Sequence, residues 1–164
     1  MIFVTVGTHE QQFNRLIKKI DELVENGIIK ERVVQQIGYS TYIPKYTEYR
    51  DFFDYEMMEK LENESDIIIT HGGPSTFMGV LSKGKIPIVV PRQYKYGEHV
   101  NNHQLEFAFK VKKEGYKIIV VEDLQSLEQL ILNERKNILS FQKVASHNEK
   151  FMTLFFKEIN EMFN

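Results

Sequence analysis

One stretch limits what this chain can fold into more than any other, and it runs from Asp66 to Gln104. Two short apolar runs, Asp66 to Thr70 and Ile86 to Pro91, are β-branched and do not alternate with polar residues. That pattern predicts strands covered on both faces, as in a parallel sheet. Between them, His71-Gly72-Gly73-Pro74-Ser75-Thr76 reads as a tight turn opening a helix that runs to about Lys83. The two glycines let backbone approach a ligand closely, and Pro74 suits the first helical position, where a missing N–H costs nothing. Ser75 and Thr76 add hydroxyls beside the unpaired amides of that turn. A helix N-terminus so placed in an open α/β sheet accepts anions, and we read it as a diphosphate cradle. Downstream, Arg92 to Glu98 is irregular, and a helix from His99 to Lys113 is predicted to turn Val100, Phe107, Ala108 and Val111 inward.

The rest of the chain repeats the alternation. Ile2 to Val6 is a strand ending in Gly7-Thr8-His9. Phe13, Leu16, Ile17, Ile20, Leu23 and Val24 then recur at helical spacing up to Asn26-Gly27. Arg32 to Gly38 is a second strand, followed by a loop carrying Tyr39, Tyr42, Tyr46 and Tyr49, either an ordinary surface loop or one that meets a base, a sugar or a partner. Asp51 to Tyr55 reads as a short strand, Glu56 to Asn63 as a helix, Tyr116 to Val121 as a strand and Leu124 to Leu132 as a helix. Residues 137–164 form a C-terminal helical segment with a phenylalanine-rich stripe, either packed on the sheet or docking another subunit. The whole predicts one α/β domain, 1–164, with a parallel sheet and helices on both faces.

Composition removes several function classes. The formal net charge is −2, which is not that of a nucleic-acid-binding surface. There is no cysteine, hence no thiolate chemistry. No apolar run approaches the roughly 18 residues of a membrane span, and Met1 leads into a strand instead of a signal core. The expectation is a cytoplasmic protein. Gly7 lacks the further glycines of a dinucleotide fingerprint, which disfavours an oxidoreductase. His99 and His103 stand four apart, a spacing that can bind metal, but no third ligand is evident and no metal is expected.

Taken with Pro91-Arg92, Glu98-His99 and His103-Gln104, the glycine turn resembles the nucleotide-sugar-binding half of family 28 GT-B glycosyltransferases. The resemblance covers nearly the whole chain, including Phe3 to His9, Thr70 to Thr76, Gly84 to Arg92 and Glu98 to Gln104. It is strongest to small stand-alone members. These are the catalytic subunit of the two-part dolichol-pathway GlcNAc transferase and the bacterial capsule and exopolysaccharide galactosyltransferases that work with a membrane-associated partner.

The resemblance implies a Rossmann-like fold and an inverting transfer from a UDP-sugar, UDP-galactose or UDP-GlcNAc, to a lipid-linked saccharide acceptor. It implies no metal or other cofactor, and attachment at the inner membrane face through an acceptor-binding partner subunit; a homo-oligomer is left open. It places the UDP-sugar against Gly7, Thr8, His71, Gly72, Gly73, Pro74, Ser75 and Thr76, with amides of Ser75 and Thr76 on the diphosphate. Arg92 is expected beside the uracil or the phosphates, Glu98 and His99 in the same cleft, and His103-Gln104 facing the donor sugar. His9 is the candidate base for the acceptor hydroxyl, a role the partner could equally supply. One position departs from the family: where an acidic residue usually holds the ribose, this chain has Gly79. That leaves open weaker donor binding, a contact from elsewhere, or a non-catalytic binding or enhancer subunit.

Overall fold

The computed structural model describes residues 1–141 and Lys157. Six parallel strands form one sheet: β1 (Ile2–Thr5), β2 (Val33–Gln36), β3 (Glu48–Arg50), β4 (Ile67–His71), β5 (Ile88–Val90) and β6 (Ile119–Val120). Their order is β3-β2-β1-β4-β5-β6, so the chain builds outward from β1 on one side and then returns to its other side. β1 therefore contacts β2 and β4, with Thr5 level with both Gln36 and Thr70. The reversal between β1 and β4 opens a crevice at the carboxyl ends of these strands, the place where open α/β sheets receive ligands.

Helices cover both faces, as predicted. Helix α1 (Asn14–Glu25) and helix α5 (Leu127–Phe141) lie on one, burying Leu16, Ile17, Ile20, Leu127 and Ile131 against Ile2, Val4 and Val6. On the other lie α2 (Tyr55–Glu64), α3 (Pro74–Ser82) and α4 (His103–Lys113). Leu61 and Val80 meet Phe3, Val34 and Ile68 there, and Phe77 and Met78 pack with Phe107, Ala108, Val111 and Val89. Helix α2 is bounded by polar groups at both ends. Asp54 accepts the Met57 amide at 2.8 Å at its start, and the Lys85 ammonium donates to the carbonyls of Glu62, Asn63 and Ser65 at its close.

The structure departs from the sequence reading in three places. The strand expected over Asp51 to Tyr55 lies instead at Glu48–Arg50, and Tyr55 already belongs to α2. Helix α4 starts at His103, not His99. The Asn101 side chain accepts the His103 amide at 3.0 Å and that of Asn102 accepts the Tyr94 amide at 3.0 Å, so both asparagines shape a turn before the helix. Val100, expected inside, is consequently 67% exposed. The helix expected over Leu124 to Leu132 starts at Leu127 and runs on to Phe141; of the C-terminal segment beyond it, only Lys157 is among the described residues.

The tyrosine loop is anchored by α1. Asp21 is fully buried and accepts from the Tyr42 hydroxyl, the Lys45 and Tyr46 amides and the Thr47 hydroxyl. Burial alone pushes its pKa up, but these four donors outweigh it and hold the carboxyl below its usual range, while Tyr42 is raised to about 12 by the same bond. The carboxylate's contribution is therefore complete above the unfolded-state pKa near 4 and is lost as pH falls through that value toward the lowered folded one. Asp21→Ala should cost about 2–3 kcal/mol at pH 7 by leaving donors unpaired. Asp21→Asn keeps one acceptor and should close the gap to wild type as urea melts are moved from pH 6 to pH 3. A gap that stays constant across that window would contradict this account.

Candidate functional site

At the carboxyl end of β1 the chain turns through Gly7 at a φ of 73°, and at the end of β4 it passes Gly72 and Gly73 into α3. The imidazole of His71 lies between these two turns. A Cβ at Gly7 would come within 2.4 Å of its Cε1 and Nε2, and one at Gly73 within 2.1 Å of Nε2. Both positions are thus glycine because the ring takes the space of a side chain. A Cβ at Gly72 would meet Gln104 at 2.9 Å and Pro91 at 3.1 Å, so that glycine lets the ends of β4 and β5 close up. Burial, with Arg92 as a secondary cause, pushes His71 down to about 3, so it is neutral at physiological pH. Its Nδ1 is buried without a hydrogen-bond partner of ordinary geometry.

The helix terminus built on this wedge follows the sequence reading, with one refinement. Gly73 is the N-cap and Pro74 takes the first turn. The Thr76 amide already donates to the Gly73 carbonyl at 3.1 Å, so Ser75 supplies the first-turn amide directed outward. Ser75 is exposed and Thr76 half-buried, which leaves the hydroxyl of Thr76 as its contribution. Thr8 is exposed at the neighbouring turn.

Two further imidazoles stand beside it. His9 and His99 are stacked, with ring centroids 4.5 Å apart and planes 14° from parallel. The His9 Nε2 meets the Gln11 side-chain oxygen at 2.9 Å. An amide oxygen only accepts, so Nε2 carries the proton and Nδ1 is left as the basic atom. His99 is held below its ordinary pKa by burial first, then by His9 and Arg92, so it presents a neutral face to its neighbour. His103, the first residue of α4, is exposed. Among the described residues no group of three or more His, Cys, Asp or Glu is gathered as a metal site.

Arg92, expected beside the uracil or the phosphates, is sealed inside the domain. Its side chain is 0% exposed, and its guanidinium donates to the carbonyls of Val6, Gln11, Gln12 and Glu98 at 2.8–3.3 Å, above the ring of Phe13. It therefore fixes the β1–α1 loop to the segment after β5. Glu98 is equally sealed. It accepts a two-pronged contact from Arg15, at 2.7 and 3.0 Å, and the Gln93 amide at 3.0 Å. Gln104 uses its side-chain oxygen to hold the Gly72 and Arg92 amides, each at 3.1 Å, clamping β4 to β5. Arg92 and Glu98 thus brace the strand ends from inside the domain, while Gln104 is only partly buried. Arg15, Gln11 and Gln12, which the sequence reading did not single out, belong to the same frame; Gln12 reaches the Tyr96 carbonyl at 3.1 Å. Their signal was the dense polar run after Gly7.

Gly79 lies in α3, and a Cβ there would meet nothing within 4 Å. The glycine is not there to admit a neighbouring loop.

The fold is that of a parallel α/β domain whose switch point carries a helix opened by two glycines, with the imidazoles of His71, His9 and His99 gathered beside it. The chain belongs to the glycosyltransferase family 28 C-terminal domain family, which matches residues 1–161. It is 35% identical over 129 residues to the human UDP-N-acetylglucosamine transferase subunit ALG13 and 32% identical over 126 residues to the mouse protein. Each match spans 70% of this chain and only 10% of the relative's length. Among solved structures, the glycotransferase of kitacinnamycin shares the fold at a TM-score of 0.53 and 15% identity, over 93% of this chain and 42% of that one.

Proposed function

We propose that this chain is the donor-binding, catalytic subunit of an inverting UDP-sugar-dependent glycosyltransferase, with UDP-galactose or UDP-GlcNAc as donor. The acceptor in this reading is a lipid-linked sugar of capsular or exopolysaccharide assembly. The observation that carries it is the α3 terminus, where the outward Ser75 amide and the Ser75 and Thr76 hydroxyls stand at the switch point of the sheet beside the neutral His71. Loss of UDP builds negative charge on the β-phosphate, and fixed N–H dipoles in a dry cleft stabilise that charge without a metal ion. The His9 Nδ1, oriented by Gln11, is the atom we assign to take the acceptor proton.

A domain of this kind forms one wall of a cleft, and no helix among the described residues is long and apolar enough to cross a membrane. We assign the acceptor site and the membrane anchor to a second polypeptide, which brings this chain to the inner face of the membrane. The mammalian relatives, themselves named as transferase subunits, support this reading. Transfer from a panel of UDP-sugars to membranes, with and without the candidate partner, tests it. Robust transfer to lipid acceptor by the purified chain alone would remove the partner.

Ser75→Ala with Thr76→Ala should weaken UDP binding by about 1–3 kcal/mol in calorimetry while the fold stays intact. Unchanged affinity in the folded double variant would displace UDP from α3.

The second reading, a nucleotide-sugar-holding subunit whose partner carries the chemistry, is favoured by Gly79. Open space around a Cβ at that position lets a side chain start there without a clash. The substitution should raise helix stability, since glycine costs about 1 kcal/mol relative to alanine in a helix. It should also raise UDP affinity above that of Gly79→Ala by giving the ribose hydroxyls an acceptor. Equal UDP affinity in the two variants would show that ribose does not reach this position. Donor hydrolysis by the isolated chain and by the pair then separates the catalytic from the holding role.

A further inference from the structure

β3 is the last strand on its side of the sheet, and all three of its residues are exposed. The Ile37 amide donates to the Arg50 carbonyl at 2.9 Å, so the backbone polar groups of Arg50 face inward, toward the β2 side. These groups alternate sides along a strand, so the N–H and C=O of Tyr49 point away from the sheet. An edge of this kind is a template for another strand unless something blunts it. There is no proline in β3, and its two charges are of opposite sign. Arg32 holds Glu48 through paired contacts of 2.7 and 2.8 Å, whereas Arg50 has no ion pair among the described residues.

We propose that this edge is a self-association surface, on which two copies pair β3 with β3, antiparallel, about a two-fold axis through Tyr49. The two sheets then join into one of twelve strands. The sequence of the strand is what selects a second copy. Centred on Tyr49, antiparallel pairing lets the two Tyr49 backbones exchange both hydrogen bonds, the closed arrangement a two-fold interface requires. The same register sets Glu48 opposite the second copy's Arg50, and Arg50 opposite its Glu48, in the closer-spaced type of pair. Parallel pairing in register would instead set like charges together. Tyr46, Tyr49, Phe52, Tyr55 and Met57, all on or near this strand in sequence and all exposed, supply apolar surface around the axis. The proposal is independent of what the α3 terminus binds.

The sequence contains no cysteine, so Tyr49→Cys places a lone thiol on the axis. The Cα atoms of a hydrogen-bonded antiparallel pair are about 5.5 Å apart, inside the ~4.4–6.8 Å that a disulfide spans. Mild oxidation of the full chain should convert Tyr49→Cys rapidly into a covalent dimer of the 19.4 kDa chain. Tyr94→Cys, at a more exposed position beyond β5 on the other side of the sheet, should nonetheless cross-link far more slowly. In sedimentation over a concentration series, Arg50→Glu should weaken dimerisation about tenfold or more, because both symmetry-related pairs become repulsive. Combining it with Glu48→Arg should restore the dimer to within about threefold of wild type. A wild-type chain that stays monomeric throughout would overturn the proposal, as would equal cross-linking at the two cysteines. A dimer indifferent to Arg50→Glu would also overturn it, assigning association to another surface such as residues 142–164.

Discussion

Replacing Arg92 by leucine should cost about 3–5 kcal/mol in chemical denaturation, because a buried guanidinium is removed and four carbonyls are left facing an apolar side chain. Val6, Gln11, Gln12 and Glu98 all lose a donor. Burial pushes the group down to about 10, opposed by Glu98, so it remains charged at neutral pH and the whole arrangement depends on that charge. Arg92→Lys keeps the charge but offers one compact ammonium in place of a planar fork, and should recover only part of the loss. In that folded variant UDP affinity should stay within about twofold of wild type, about 0.4 kcal/mol. A leucine variant destabilised by less than about 1 kcal/mol, or a lysine variant of normal stability that no longer holds UDP, would return Arg92 to the ligand.

The second large effect is expected at Gly73. An alanine there would set its Cβ 2.1 Å from the His71 Nε2, and the ring, fixed between two turns, has nowhere to retreat. Overpacking of this kind typically costs about 1–3 kcal/mol, and here the turn that opens in response is the one presenting the Ser75 amide. Gly73→Ala should therefore lose stability and UDP binding together. In a His71→Ala background the same substitution should cost little, because the atom it collides with is gone. Equal cost in both backgrounds would mean that the glycine serves the backbone and not the imidazole. Gly7→Ala should be worse still, since a positive φ adds about 1 kcal/mol of strain to a similar collision.

Much of this molecule is written locally. Strands β1, β4 and β5 are legible because strands buried on both faces need uninterrupted apolar runs, and helix α1 because one face alone is apolar. The glycine turn is legible because few arrangements other than a close backbone approach want two glycines and a proline there. β3 is not legible: three exposed residues, Glu48, Tyr49 and Arg50, show neither an apolar run nor an alternation that uses the core. The roles of Arg92 and Glu98 are hidden for another reason. Charged residues after a strand look like ligand contacts, and their true partners, Val6, Gln11 and Arg15, lie some eighty positions away in sequence. Only tertiary structure reveals that a charge near a site has been walled off from it. Stacking of His9 on His99 was out of reach similarly, since it depends on a turn that delayed the start of α4.

The strand order also has a consequence for how the chain is made. β1 is central, yet it precedes its second neighbour, β4, by about sixty residues. At ribosomal rates of roughly 5–20 residues per second, β1 waits about 3–12 s, and β2 about half as long, before that neighbour has been synthesised. Through that interval Ile2, Phe3 and Val4, which end fully buried, have one open edge and at most a single covered face. The nascent chain is thus most exposed to misassociation at a strand that later becomes fully buried at the centre of its sheet.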